Sequence, residues 1–290
     1  MTAATVPYEF IWVAADGRIV ELSAVNGYTI LAGVQGLDSP PVELFAEART
    51  EGDGSVLVKR RTGVRYVAVP MYVNTGGHIR DAVSFLSDVF RGPGQLRVSD
   101  DGVNYRTLRD VYYETGLAGD ESRGVSMPSA WRKVVVSLQA LDPWWYGNAE
   151  GQVMSLGGVS GFSASGIDFD DPLTQFNGGD ATVFQVGGHA AAYPVWTLSG
   201  PFTTCVVEVS GSQQFDLASA LADGDYVTVD TRPGSYGPSR NGGAVDWSIL
   251  TAASRLPVLE PGSVSVTVSS SGTDAGSTIV AEYEPRWLTP

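Results

Sequence analysis

Val134, Val136 and Leu138 alternate with Val135, Ser137 and Gln139 in the stretch Trp131–Gly147. A two-residue period of this kind is that of a β-strand with one buried face. The strand runs into Asp142-Pro143-Trp144-Trp145-Tyr146. Pro143 has no N–H to give to a ladder, so pairing is expected to stop there. Three aromatics in a row make a poor surface for open solvent. A domain junction or a second subunit is the expected cover.

The same period marks other strands. Phe10–Val13 and Ile19–Leu22 flank Asp16-Gly17 and read as a hairpin. Tyr28–Leu31 leads into Gly33–Pro41, where Pro40-Pro41 reads as a rigid, exposed turn. Ala46–Gly54 reads as a polar loop; Ser55–Arg61 and Arg65–Val73 read as strands around Thr62-Gly63. One segment changes period. Ile79, Val83, Leu86 and Phe90 recur at helical spacing, and Gly92-Pro93-Gly94 stops the helix. Leu96–Val98, the Asp101-Gly102 turn, a strand pair or bent strand over Tyr105–Tyr113 and a polar loop over Gly119–Ser129 lead back to Trp131. Residues 1–147 thus read as an α+β domain whose strands flank one helix.

Residues 148–181 are rich in Gly, Ser and Asp and read as a linker with irregular strands. Then come strand runs at Val183–Val186, Ala192–Leu198, Thr203–Val209, Gln214–Leu217, Tyr226–Asp230, Ser263–Val268 and Thr278–Tyr283. Gly200-Pro201 and Asp223-Gly224-Asp225 punctuate them. Short strands between turns, with no helical segment, predict a β-sandwich or jelly roll over 148–290. The chain as a whole reads as mainly β.

Charge divides at the same place. Of the net −14, residues 1–147 carry 17 Asp/Glu against 14 Lys/Arg, and residues 148–290 carry 15 against 4. The second half should repel nucleic acid, and the near-neutral first half suits burial in an assembly. The basic cluster Lys59, Arg60, Arg61 and Arg65 reads as solvated strand ends or as salt bridges across a subunit contact, with a nucleic-acid groove as the lesser reading. No apolar run approaches the ~20 residues of a membrane span, and residues 1–10 lack the pattern of a secretory signal. A cytosolic origin without membrane insertion is expected.

Candidate chemistry is sparse. One cysteine and two histidines give no disulfide, no thiolate metal site and no credible nucleophile triad. Cys205 sits in a strand-like run and reads as a buried, inert thiol. Asp168, Asp170 and Asp171 could offer calcium oxygens, but their spacing is not that of the twelve-residue loop, and a solvated acidic linker is the plainer reading. Asp230-Thr231-Arg232 reads as a local salt bridge. Asn177–Asp180 and Asn241-Gly242-Gly243 read as turns. Trp196, Trp247, Tyr226 and Tyr236 are candidates for a sugar-stacking platform, with core packing the default for Trp196. No carboxylate pair is singled out for glycoside hydrolysis. No enzyme and no cofactor are expected.

Taken in order, these features resemble the siphophage distal tail protein family, in a style similar to actinobacteriophage minor tail proteins. The resemblance rests on Asp16-Gly17, Gly36–Pro41, Asp53-Gly54-Ser55, Asp101–Arg106, Tyr112–Gly116 and Asp142–Gly147 in the first half. In the second half it rests on Tyr193–Pro201, Leu221–Asp225, Val227–Arg232, Pro261-Gly262-Ser263 and Tyr283–Leu288. It implies a homohexameric ring with a central channel, one face on the tail tube protein and the other on the tail-tip hub. Residues 1–147 would build the ring as a belt domain, and residues 148–290 would form an outward galectin-like sandwich. Trp144, Trp145 and Tyr146 are the expected junction or interface anchors. Leu37, Pro40 and Pro41 of the turn, with Arg60 and Arg65 of the strands, are the expected ring contacts. The tape measure protein and host glycan are further partners implied. The implied place is the virion tail tip, assembled in host cytoplasm. A carbohydrate-binding module serving host attachment is the alternative reading.

Overall fold

A computed structural model of the protein describes residues 8–117, 131–156, 181–211 and 213–290. The chain forms two compact units, Met1–Asn148 together with Trp287–Pro290, and Ala149–Arg286. The last four residues, read from sequence with the second domain, fold with the first. As the alternation predicts, the architecture is mainly β, with one α-helix among the described residues.

The first unit contains β1 (Glu9–Ala14), β2 (Ile19–Glu21), β3 (Tyr28–Ile30), β4 (Val42–Ala48), β5 (Ser55–Thr62) and β6 (Arg65–Val73). Helix α1 (Ile79–Val89) follows, then β7 (Gly94–Ser99), β8 (Arg106–Thr115), β9 (Arg132–Ala140) and β10 (Trp145–Tyr146). The main sheet runs β2-β1-β7-β8-β9-β6-β3, with β10 beside β8. Every pairing of the path is antiparallel. β2 and β3 lie at opposite ends of this order, yet only residues 22–27 join them. Such a short connector, at no more than roughly 3.5 Å per residue, forces the sheet to curl its edges toward one another.

The concave side is filled from several strands at once. Trp12, Met71, Leu86, Leu96, Leu108, Leu138 and Trp145 are all fully buried. Helix α1 buries Ala82, Leu86 and Val89, with Phe90 following as its C-cap. Trp12 Nε1 donates to the Val89 carbonyl at 3.3 Å, and its ring meets Phe90 edge-on at 4.8 Å. Gly94 opens β7 because a Cβ there would lie 2.2 Å from the Trp12 ring. β6 is sandwiched between β9 and β3 although it contains Pro70. The Pro70 carbonyl accepts from Leu31 N at 2.8 Å, but Pro70 has no N–H to return, and β3 ends at Ile30.

β4 and β5 form a separate two-stranded sheet. The polar loop expected from Ala46 is strand as far as Ala48. Its pairing partners, not its own pattern, hold it extended. Glu43 faces Arg61, Leu44 faces Arg60 and Phe45 faces Lys59, and a bulge follows before Ala46. With solvent on both sides, no buried face imposes an alternation for the sequence to display.

The second unit contains β11 (Glu150–Ser155), β12 (Ala181–Val186), β13 (Val195–Ser199), β14 (Thr204–Val209) and β15 (Gln213–Asp216). After these come β16 (Tyr226–Asp230), β17 (Gly237–Arg240), a 3-10 turn at Trp247–Ile249, β18 (Gly262–Ser271) and β19 (Thr278–Tyr283). They make two antiparallel sheets, β11-β19-β13-β16-β17 and β12-β18-β14-β15. Trp196, Leu198, Val229 and Ile279 of one sheet and Phe184, Val207, Phe215 and Val266 of the other share a single apolar core. This is a β-sandwich, as the turn spacing predicts. Trp196 is the center of that core, 6.3 Å from the Phe184 ring and 5.9 Å from the Phe215 ring.

Candidate functional site

Arg65, the first residue of β6, is 1% exposed and acts as a hub inside the first unit. Its Nε donates to the Pro143 carbonyl at 2.8 Å. Nη1 donates to the carbonyls of Gly36 at 2.8 Å, Leu37 at 3.1 Å and Asp38. Nη2 donates to the Leu288 carbonyl at 2.8 Å. Its guanidinium also lies 5.6 Å from the center of the Trp145 ring. Burial pulls its pKa down to about 10, against the opposing pull of the Asp38 carboxylate, so it stays charged at neutral pH. A buried cation is tolerated when dipoles replace its water, and here backbone carbonyls do so.

The Gly36–Asp38 loop is pinned from two further directions. Gln35 and Ala68 exchange both backbone bonds, at 3.0 and 3.1 Å, which docks the loop on β6. Trp145 Nε1 donates to the Leu37 carbonyl at 3.2 Å. Gly36 has φ +81°, and a Cβ there would strike the Tyr66 carbonyl oxygen. Only glycine fits this approach.

The structure thus separates the expected interface residues into two sets. Arg65, Trp145 and Pro40 are buried in their own unit, where they hold the position of a loop. Leu37 is partly buried against the same core, and Pro41 is exposed beside it. Trp144 and Tyr146 are partly buried. The Tyr146 hydroxyl donates to Asp142 Oδ2 at 2.5 Å, and Arg109 lies 4.5 Å over its ring. The aromatics at the β9 exit are covered from within the unit. The C-terminal tail takes part too: Arg106 stacks 4.0 Å over Trp287 and donates to the Thr289 carbonyl at 2.7 Å.

Arg60 belongs to a different surface, the β4–β5 arm. Every residue of β5 from Ser55 to Arg61 is exposed. Leu44 is 64% exposed, Val58 59% and Leu57 55%, with Val42, Phe45 and Val56 also open. Arg61 pairs with Glu43 at 2.5 Å and lies over Phe45. Lys59 and Arg60 have no ion-pair partner among the described residues. A two-stranded ribbon with apolar groups on solvent is marginal alone and is typical of a surface made to be covered.

A cavity of about 630 Å³ opens elsewhere on the first unit. Tyr8–Ile11 of the first strand region, Glu21 at the end of β2 with Leu22–Val25 after it, Thr29 and Ile30 of β3, and Tyr105 line it. It therefore takes residues from both edges of the curled sheet. The Tyr105 hydroxyl donates to Glu9 Oε2 at 2.7 Å, and Asn26 Nδ2 donates to Glu21 Oε2 at 3.2 Å. Nothing in the sequence marked this cavity, because its residues come from segments whose closeness only the curl creates.

The second unit separates the four candidate aromatics. Trp196 is in the core, as its strand position predicts. Tyr236 and Trp247 are brought together, ring centers 5.5 Å apart, and each is about half exposed, 52% and 51%. Tyr226 is partly open at the start of β16. Asp230 and Arg232 form the local salt bridge expected, at 2.6 Å. Cys205 is buried, and burial pushes its thiol up to about 12. No group of His, Cys, Asp or Glu suited to a metal occurs among the described residues. The acidic run at Asp168, Asp170 and Asp171 and the Asn177–Asp180 turn lie outside the described residues.

The fold is similar to those of solved phage tail-tip proteins. Over 96% of this chain and 98% of the other, it matches the Dit (gp 19.1) protein of phage SPP1, described as a paradigm of the hub adsorption apparatus in phages infecting Gram-positive hosts, with TM-score 0.67 and 14% identity. A chain of the phage P2 baseplate in its activated conformation with Ca matches over 95% of this chain and 97% of that one, with TM-score 0.51 and 9% identity. The chain has the fold of phage distal tail and baseplate proteins, the group its sequence resembles. No family model and no curated protein sequence matches it.

Proposed function

We propose that the protein is a structural component of a long-tailed phage virion. In this reading it is a distal tail adaptor that self-associates as a ring, six-membered by the family resemblance, and joins the tail tube protein to the tail-tip hub. The tape measure protein would lie within reach of its channel. Assembly would take place in host cytoplasm. The role is mechanical, through shape and buried area, without catalysis.

The observation that carries this reading is the β4–β5 arm. It presents Leu44, Leu57 and Val58 to solvent from a ribbon that its own unit does not cover. Obligate assemblies bury such surfaces, often more than ~2,000 Å² in total. The strongly acidic second half would tolerate exposure away from the ring axis. Mass photometry and negative-stain microscopy of the purified chain test the reading. Sixfold rings are the expected result; a monomer at tens of micromolar would overturn it.

A second reading has its own observation. The exposed Tyr236–Trp247 pair forms an aromatic surface of the kind on which sugar faces stack. This favors glycan binding by a galectin-like second unit during host attachment. Glycan-array binding that is lost in Trp247→Ala supports it, and an array without signal removes it.

A further inference from the structure

The chain passes between its two units twice. It leaves the first after Asn148 and re-enters it at Trp287, so the second unit, Ala149–Arg286, is an insertion between two parts of the first. Inside the first unit one side chain grips both crossings. Arg65 donates through Nε to the Pro143 carbonyl on the outgoing segment, and through Nη2 to the Leu288 carbonyl on the returning one. Arg106 adds its bond to the Thr289 carbonyl and its stack on Trp287. Inside the second unit the far ends of the crossings are also side by side. β11 and β19 pair antiparallel, with Glu150 opposite Tyr283.

This arrangement has an entropic consequence. The returning segment must reach Arg65 at the end of whatever lies between the crossings. With the second unit unfolded, that is a free loop of roughly 140 residues, and the penalty for closing it grows with the three-halves power of loop length. The folded second unit holds Glu150 and Tyr283 opposite each other and leaves only a handful of residues free. Docking of the returning segment then gains about 100-fold in its equilibrium constant.

We propose that the inserted second unit is a strap that closes the Arg65 hub. Its folding brings Leu288 onto Arg65, and the filled guanidinium holds the carbonyls of Gly36, Leu37 and Asp38 in place. The Gly36–Asp38 loop is therefore fully tied down only in chains whose second unit has folded. By linkage the coupling runs both ways: docking of Trp287–Pro290 stabilizes the second unit by the same factor, although these residues lie outside it.

The test compares four chains: wild type, Phe215→Ala in the core of the second unit, a chain lacking residues 287–290, and the two changes together. Hydrogen exchange of the Gln35 amide and the Trp145 indole N–H reads the loop, since these groups bond to Ala68 and to Leu37. At a urea concentration that unfolds only the second unit of Phe215→Ala, both groups exchange at least about tenfold faster than in wild type, with about 100-fold as the ceiling. The deletion gives the same increase while its second unit is folded, and adding Phe215→Ala to it changes nothing more. In return, the deletion speeds exchange of the β19 amides by a matching factor. If Phe215→Ala unfolds the whole chain, Phe215→Leu replaces it. Loop protection that survives unfolding of the second unit overturns the proposal. So does a deletion that leaves the second unit as stable as before, and so do units that still unfold together once residues 287–290 are gone.

Discussion

Arg65 Nη2 and the Leu288 carbonyl oxygen are 2.8 Å apart although 223 positions separate them in the chain. Through this bond, and through those to Gly36, Leu37 and Pro143, one side chain ties a loop, a strand exit and the C-terminal tail together. A charged donor with several buried acceptors is costly to remove, because the acceptors are left unpaired.

Arg65→Met is therefore expected to lower the unfolding free energy by about 3 kcal/mol. Arg65→Lys recovers little of this, since an ammonium cannot reproduce the planar fork. Removal of residues 288–290 costs less than Arg65→Met and adds little to it, because both act on the same bonds. Urea denaturation of wild type, the three variants and the Arg65→Met deletion double variant, which closes one double-mutant cycle, measures these terms.

Trp145 combines a buried ring with one polar bond. Trp145→Phe keeps most of the apolar area and loses the bond to Leu37, a cost of about 1 kcal/mol beyond the change in ring size. Trp145→Ala opens a cavity and costs about 3–5 kcal/mol. Denaturant midpoints at constant slope separate the two.

The arm behaves in the opposite way. Leu44→Ser with Leu57→Ser leaves the midpoint for unfolding of the monomer within about 0.5 kcal/mol of wild type, since both side chains are exposed. The same pair shifts the protein from oligomer toward monomer. Thermal unfolding and mass photometry on one sample read both effects.

Asp101 supplies an acid-sensitive turn. Its carboxylate accepts from the backbone N–H of Asn104 and Val103, from the Asn104 amide and from the Ser99 hydroxyl, at 2.6–2.9 Å. These bonds, the Asn104 backbone first, hold its pKa far below the ordinary 3.8. A depressed carboxylate stabilizes the fold fully above its unfolded pKa and loses that contribution as pH falls toward the folded value. The loss therefore begins below about pH 4. Asp101→Asn is expected to flatten the acid limb of the stability profile while barely changing its slope near pH 7. Midpoints measured from pH 7 to pH 2 decide this.

Some of this protein could be read directly from its residues. The strict alternation at Val134–Leu138 and along β18 marks strands because one face is buried, and burial writes its period into the sequence. The spacing of Ile79, Val83, Leu86 and Phe90 marks α1 for the same reason. β4 was not legible: a ribbon exposed on both sides carries no burial period, and only the β-branched and apolar run Val56-Leu57-Val58 made its partner β5 readable. The aromatics at the β9 exit were legible as needing cover, but the cover itself, the Arg65 hub and the returning tail, was not.

By itself, the sequence determined the strand-rich class, helix α1, the change of character near residue 147 and the core place of Trp196. These follow from local periodicity and turn chemistry, which act between near neighbors. Only the tertiary structure decided that Arg65 is buried, that Trp287–Pro290 fold with the first unit, and that Glu9 and Glu21 share a cavity. The curl of a sheet whose first and last strands are β2 and β3 sets the last relation, the long-range bonds of Arg65 and Arg106 set the other two, and no local pattern encodes the meeting of residues so far apart.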